Sequence, residues 1–317
     1  MSPRLVQGLL ALVLVVACTP PTSLPADPTT TLRESQDGIA AASTTSAPGT
    51  VATVPGTEEL PGPLRDQLAG LVAVTQEVRG LPFLQPPTVT VVTDEELAER
   101  VADILTDELE GIERDEALLE LLGLIEQGVD LRRLYTDLYA EQVAGFYDGD
   151  TKELVVPARS EEFSLLQSAT VVHELTHALT DQHFSFHDTF TELIDSQRFD
   201  EASAYQALIE GDAVFTELQY ILTLSQDDRL ELVGESLAID QTVFQAAPRF
   251  LQELLIFPYV TGQLFVEDLH GRGGGEAVAR AYQQGPASTE QIYRPSDYPG
   301  EAPLRVALPQ VTLEGYT

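Results

Sequence analysis

Two histidines four residues apart, with a glutamate directly after the first, are the residues of this chain best suited to chemistry: His173-Glu174-Leu-Thr-His177. On a helix, positions i and i+4 share a face about one turn apart, so both imidazoles can turn a ring nitrogen toward the same cation. Glu174 sits one step round from His173. It is badly placed to share that coordination but can hydrogen-bond a water held by the ion. The spacing therefore assigns two ligands and one base. The chain has only five histidines in 317 residues, and three of them fall between positions 173 and 183, which makes a chance match rare. Ala169, Val171, Val172, Leu175, Ala178 and Leu179 make the flanks apolar, as in a buried helix. Two imidazoles and a carboxylate buried there without a cation would leave costly unpaired groups.

A third ligand is required, and two residues compete for the place. His183 lies ten residues after His173, the spacing of the metzincin pattern HExxHxxGxxH. Here Thr180 stands where that pattern has glycine, and a β-branched residue is poorly suited to the turn the glycine makes. The metzincins also carry a methionine beneath the metal, whereas the one methionine of this chain is Met1. The other candidate is Glu210, 33 residues beyond His177 in Ala207-Leu-Ile-Glu-Gly-Asp-Ala213. The run from Asp200 to Leu224 has few turn formers and reads as one long helix. Packed beside the first helix, it would bring the carboxylate to the same ion.

This Glu-Gly-Asp-Ala resembles the gluzincin clan, whose thermolysin-like members take their third ligand from a glutamate on a downstream helix. Gly145-Phe-Tyr-Asp148, Glu153-Leu-Val-Val-Pro157, Asp181-Gln-His-Phe184, Phe257-Pro-Tyr259 and Ser288-Thr-Glu-Gln-Ile292 extend the likeness. Together they resemble bacterial HExxH proteins of gluzincin type, over roughly residues 135 to 303. The resemblance implies a zincin-like peptidase domain with one zinc ion per chain on His173, His177 and Glu210, and Glu174 as general base. Its substrate would be a peptide or protein of unspecified sequence. Gly211 would let a neighbouring helix approach closely, and Asp212 or Asp200 could orient a ligand imidazole through its second nitrogen. His183 and Tyr298, with Tyr293, Arg294 and His270, are further candidates to support the ligands or to donate to a developing oxyanion.

The elements that must position these residues are read from periodicity. Leu64 to Arg79 is helical, Thr88 to Val92 is a β-branched strand, and Thr93 with Glu96 makes a capping box for a helix from Asp94 to about Glu110. Leu118 to Gln127 and Leu131 to Val143 read as two more helices. Phe146 and Leu154 to Val156 flank Asp148-Gly-Asp, which predicts a β-hairpin just before the active-site helix. Such a hairpin either lines the cleft for an extended substrate or is inert structure. After Gln241 the pattern is helical up to Gly271-Arg-Gly-Gly-Gly275, a loop by composition, then helical again from Glu276 to Gln284. Gly271 to Gly275 lacks the following Lys-Ser/Thr and preceding strand of a phosphate loop. Residues 286 to 303 read as irregular. The expected class is α+β and mostly helical, with the catalytic domain spanning residues 64–317.

Charge and the chain's two ends bound the setting. A net charge of −34, with Lys152 the only lysine, argues against a nucleic-acid partner. Leu5 to Val16 is apolar but short for a membrane span, and Val15-Val-Ala-Cys18 resembles a lipobox, so residues 1–18 read as a lipoprotein signal. Lipid on Cys18 would anchor the protein to the outer face of a bacterial cell membrane. Residues 19–63, rich in Thr, Pro and Ser, read as a flexible tether. A reading from another class remains open: a lipid-anchored binding protein whose zinc site is structural or vestigial.

Overall fold

The computed structural model describes residues 60–304, together with Val54, Thr57 and Val306. The signal segment, Cys18, most of the tether and the last residues lie outside the described residues. Among the described residues no helix is long and apolar enough to cross a membrane.

Leu64, Leu68, Leu71 and Val72 recur at helical spacing and bury one face of α1 (Gly62–Arg79), which Gly80 ends in the left-handed region at φ 72°. β1 (Thr88–Val92) follows. The expected capping box is present at the start of α2 (Asp94–Glu108): Thr93 N donates to Glu96 Oε2 at 2.8 Å, and Glu96 N donates to Thr93 Oγ1 at 3.2 Å. The next helix differs from expectation. α3 spans Ile112–Leu121 and is followed by Gly123 at φ 70°, so the helix lies several residues earlier than the apolar run 118–127 suggested. That run misled because Leu121 and Leu122 are exposed rather than core-facing. α4 (Leu131–Gln142) starts at an Asp130 cap that accepts from Arg133 N.

The predicted hairpin forms between β2 (Phe146–Asp148) and β3 (Glu153–Pro157), with Tyr147 opposite Leu154. Periodicity did not reveal that β1 joins it, pairing parallel to β3 with Val89 beside Leu154, to give the order β1-β3-β2. β2 is thus an edge strand of three residues held in the sheet by β3 alone.

Helices make up the rest: α5 (Leu165–Phe184), α6 (Phe186–Asp195), α7 (Phe199–Thr223), α8 (Gln226–Leu237), α9 (Thr242–Ala246), α10 (Arg249–Gln284) and α11 (Thr289–Tyr293), then a 3-10 turn at Pro295–Asp297. The described chain is accordingly α+β and mostly helical. α7 is buried on all sides from Ala204 to Ala213, the signature of a helix enclosed by others rather than lying on a surface. It packs between α5 and α10.

The close approach expected at Gly211 is real, but the partner is α10. A Cβ on Gly211 would overlap the carbonyl group of Gly262, and one on Gly262 would overlap the carbonyl oxygen of Ala207. The two backbones cross in contact, and only glycine permits it on either side. Gly262→Ala is expected to lower stability by about 1–3 kcal/mol through overpacking, read as a drop in the urea unfolding midpoint. The Gly271–Gly275 loop also shrinks to a two-residue break: α10 runs across it, with Gly273 (φ −165°, ψ 25°) and Gly274 (φ 61°, ψ −160°) outside helical geometry.

Candidate metal centre

α5 begins with a capping box that sequence reading missed: Ser164 Oγ accepts from Gln167 N, and Gln167 Oε1 accepts from Ser164 N. The helix then continues without interruption through Thr180 to Phe184 and ends at Ser185, which takes the left-handed conformation. Ser168 to Asp181 are buried on every face. His173, Glu174 and His177 are therefore held on a rigid, dry element.

α7 lies alongside and brings Glu210 to both imidazoles. Glu210 Oε2 stands 3.2 Å from His173 Nε2 and 3.4 Å from His177 Nε2. One donor atom from each residue lies within 4.8 Å of the others. The His173 and Glu210 atoms are aligned as a hydrogen bond; the His177 pair is close but not aligned, and neither ring nitrogen of His177 has a hydrogen-bond partner. Glu210 Oε1 is likewise buried without one. Side chains this enclosed, at 2%, 2% and 0% exposure, bear the full desolvation penalty of such unpaired atoms. A cation among the three donors would use these atoms, so the group can hold a metal ion. Three protein ligands leave a fourth tetrahedral position open.

The electrostatics agree with a site built for positive charge. Burial works against the charged form of His173, yet its hydrogen bonds to Glu210 and Glu217 outweigh that and raise its pKa. Burial likewise opposes ionisation of Glu210, and the two imidazoles outweigh it and hold the carboxyl below its ordinary value. Glu174 behaves differently. Burial pushes its carboxyl up to about 7, with the imidazoles pulling the other way. Its Oε2 accepts from the backbone N–H of Tyr147 on β2 at 2.8 Å.

The residue beside the outer nitrogen of the His173 imidazole is Glu217, whose Oε2 lies 3.3 Å from His173 Nδ1. Asp212 and Asp200, expected there, are engaged elsewhere. Asp212 is two residues from Glu210 and so points away from it; it takes Arg79 Nε at 2.9 Å and the Tyr282 hydroxyl at 3.0 Å, deep in the core. Asp200 Oδ1 accepts from Thr289 Oγ1 at 2.7 Å. Glu217 was legible in principle, because it follows Glu210 by seven residues and two turns bring a helix back to the same face. Glu217→Ala is expected to weaken metal binding by about 10–100-fold without unfolding the chain, measured by competition with a chromogenic chelator.

The remaining candidates disperse. His183 stays on α5 beyond the site, with Nε2 2.7 Å from the Pro82 carbonyl oxygen. Tyr298 is buried edge-on against Phe265. Tyr293 is exposed, with its ring near Phe257. Arg294 pairs with Glu290, and His270 packs on Phe215. Tyr259 is stacked on His173 with centroids 6.2 Å apart, and Phe186 lies edge-on to His177 at 6.0 Å.

No family model and no curated protein matches the chain. A solved structure from Chloroflexus aurantiacus, described as "a putative hydrolase with a novel fold", is similar at 21% identity, covering 74% of this chain and 88% of that one with a TM-score of 0.48. A likeness of that size bears on neither activity nor ligands.

Proposed function

We propose that this protein is a zinc-dependent peptidase of gluzincin type, held outside the cytoplasm by lipid on Cys18. The observation that carries the reading is the buried group of His173, His177 and Glu210, with orphaned atoms at its centre and a carboxylate, Glu174, beside it that is not one of the three. The donor set of two imidazole nitrogens and one carboxylate oxygen suits zinc, and its spacing in the chain matches the resemblance. A zinc ion held there would lower the pKa of a water in the open position and polarise a carbonyl.

The chain's own residues supply the rest. Glu174 takes the proton of the attacking water as its oxygen bonds to the carbonyl carbon, and the same carboxyl returns it to the amine as the C–N bond breaks. The Tyr147 N–H orients Glu174 for both transfers, and Glu217 holds the His173 ring. No covalent link between chain and substrate forms. The acidic surface favours cationic peptides over anionic ones.

The near-total burial of the donors favours a second reading, a structural site in a lipid-anchored binding protein. Structural zinc sites are closed by four protein ligands, and among the described residues three gather here, so the catalytic reading is preferred. The test is metal analysis of the purified protein coupled to a peptide-library digest. Stoichiometric zinc with no cleavage of any peptide would overturn the peptidase in favour of the structural site.

A further inference from the structure

The base and a second carboxylate on the same helix grip one residue from opposite ends. Glu174 and Asp181 are seven residues apart on α5, so they share a face two turns from each other. Glu174 accepts from the backbone N–H of Tyr147 at 2.8 Å, and Asp181 Oδ2 accepts from the Tyr147 hydroxyl at 2.8 Å. Tyr147 therefore lies along α5 with its amide on the base and its phenol on the aspartate. Asp181 also takes Lys152 Nζ at 2.6 Å and, through Oδ1, the backbone N–H of His187 at 3.1 Å.

This arrangement answers a mechanical problem. β2 has three residues and one sheet neighbour, so the ladder alone is weak support for an amide that must stay on a catalytic carboxylate. Lys152, the only lysine of the chain, stands in the hairpin turn with its backbone in the left-handed region at φ 60°, a conformation unfavourable for a side-chain-bearing residue. Its ammonium reaches down to a carboxylate only 2% exposed. The first strand and the turn of the hairpin thus converge on Asp181, and that carboxylate is one whose burial is tolerable only because all its donors are in place.

We propose that Asp181 is the positioning residue of the site: through the Tyr147 hydroxyl and the Lys152 ammonium it clamps the β2–β3 hairpin onto α5, and so fixes the Tyr147 N–H on Glu174. The clamp also walls a polar cavity of about 650 Å³, lined by Tyr147, Lys152, Ala178, Asp181 and Asp188 among others. Tyr147 and Asp181, the two ends of the clamp's central hydrogen bond, both line this cavity. The inference rests on the reading of Glu174 as base, but its structural half stands apart from any activity.

Two readouts separate the halves. Amide hydrogen exchange across residues 145–150 in Tyr147→Phe and in Lys152→Met, each with metal content and thermal midpoint checked, reads the clamp directly. Exchange in the hairpin is expected to quicken at least ~10-fold in both variants, with the β1–β3 pairing unchanged. Steady-state kinetics on a cleaved library peptide read the consequence: kcat is expected to fall by up to ~10²-fold with KM within about twofold, since misplacing a catalytic group costs rate and not substrate binding. Asp181→Asn, which keeps an acceptor for the Tyr147 hydroxyl, should fall between Tyr147→Phe and wild type. Unchanged hairpin exchange in Tyr147→Phe overturns the clamp, whatever the activity. Faster exchange with unchanged kcat overturns its role in positioning the base. Absence of hydrolysis in the wild type condemns the peptidase and leaves the exchange result to judge the clamp.

Discussion

Glu174→Gln is expected to retain about one zinc ion per chain and to lose hydrolysis by ~10²–10⁴-fold in kcat, the range for removal of a positioned general base. The substitution preserves shape and the acceptor oxygen that meets the Tyr147 N–H, so the hairpin stays docked. It removes only the capacity to take and return a proton. Because Glu174 is not among the three clustered donors, metal stoichiometry should not move. Relief from holding a carboxyl in a site where burial disfavours its charge should leave the variant at least as stable as wild type. Loss of the metal together with activity would show instead that Glu174 is a ligand, and the division of roles along α5 would fail.

The second large effect concerns Glu210. Glu210→Ala removes one of the three clustered donors and leaves the two imidazoles facing a gap between α5 and α7. Metal affinity should fall well beyond the ~100-fold expected when a ligand's supporting group is lost, so the purified variant should be essentially metal-free by atomic emission. His183→Ala serves as the counterpart. Its ring contacts the Pro82 carbonyl oxygen rather than the cluster, and zinc content should match wild type. Retained zinc in Glu210→Ala with loss in His183→Ala would return the site to the metzincin arrangement.

Much of what positions the centre could be read from the chain alone, where local rules were decisive. The strand at Thr88–Val92, the Thr93–Glu96 capping box and the long helix that carries Glu210 all follow from period and capping chemistry, and the structure has each within a residue or two of the expected bounds. The displaced α3 shows the limit of the same rules. Its apolar run suggests a buried face, yet Leu121 and Leu122 face solvent, and nothing local marks a leucine as exposed. The glycine-rich stretch near 273 differs in the opposite sense: composition suggests a five-residue loop between two helices, but packing of Val266 and Leu269 before it and of Val278 and Ala281 after it against the core leaves a break of two residues.

The choice of third ligand and of supporting groups lay beyond local rules. Spacing alone allows His183 or Glu210 and the resemblance favours Glu210, the residue found beside the two imidazoles; Asp212, expected to support a ligand ring, is not the residue there, and Glu217 is. Sequence by itself determined that His173 and His177 share a face of one buried helix with Glu174 a step round from them, because a spacing of four brings two side chains together on any helix. Tertiary structure decided which distant carboxylate meets them, which edge strand donates to Glu174, and how Asp181 binds that strand. Those answers depend on how closely α7 can approach α5 and α10, and that distance is set by the mutual packing of whole helices and by the Gly211–Gly262 crossing, not by any residue's own propensity.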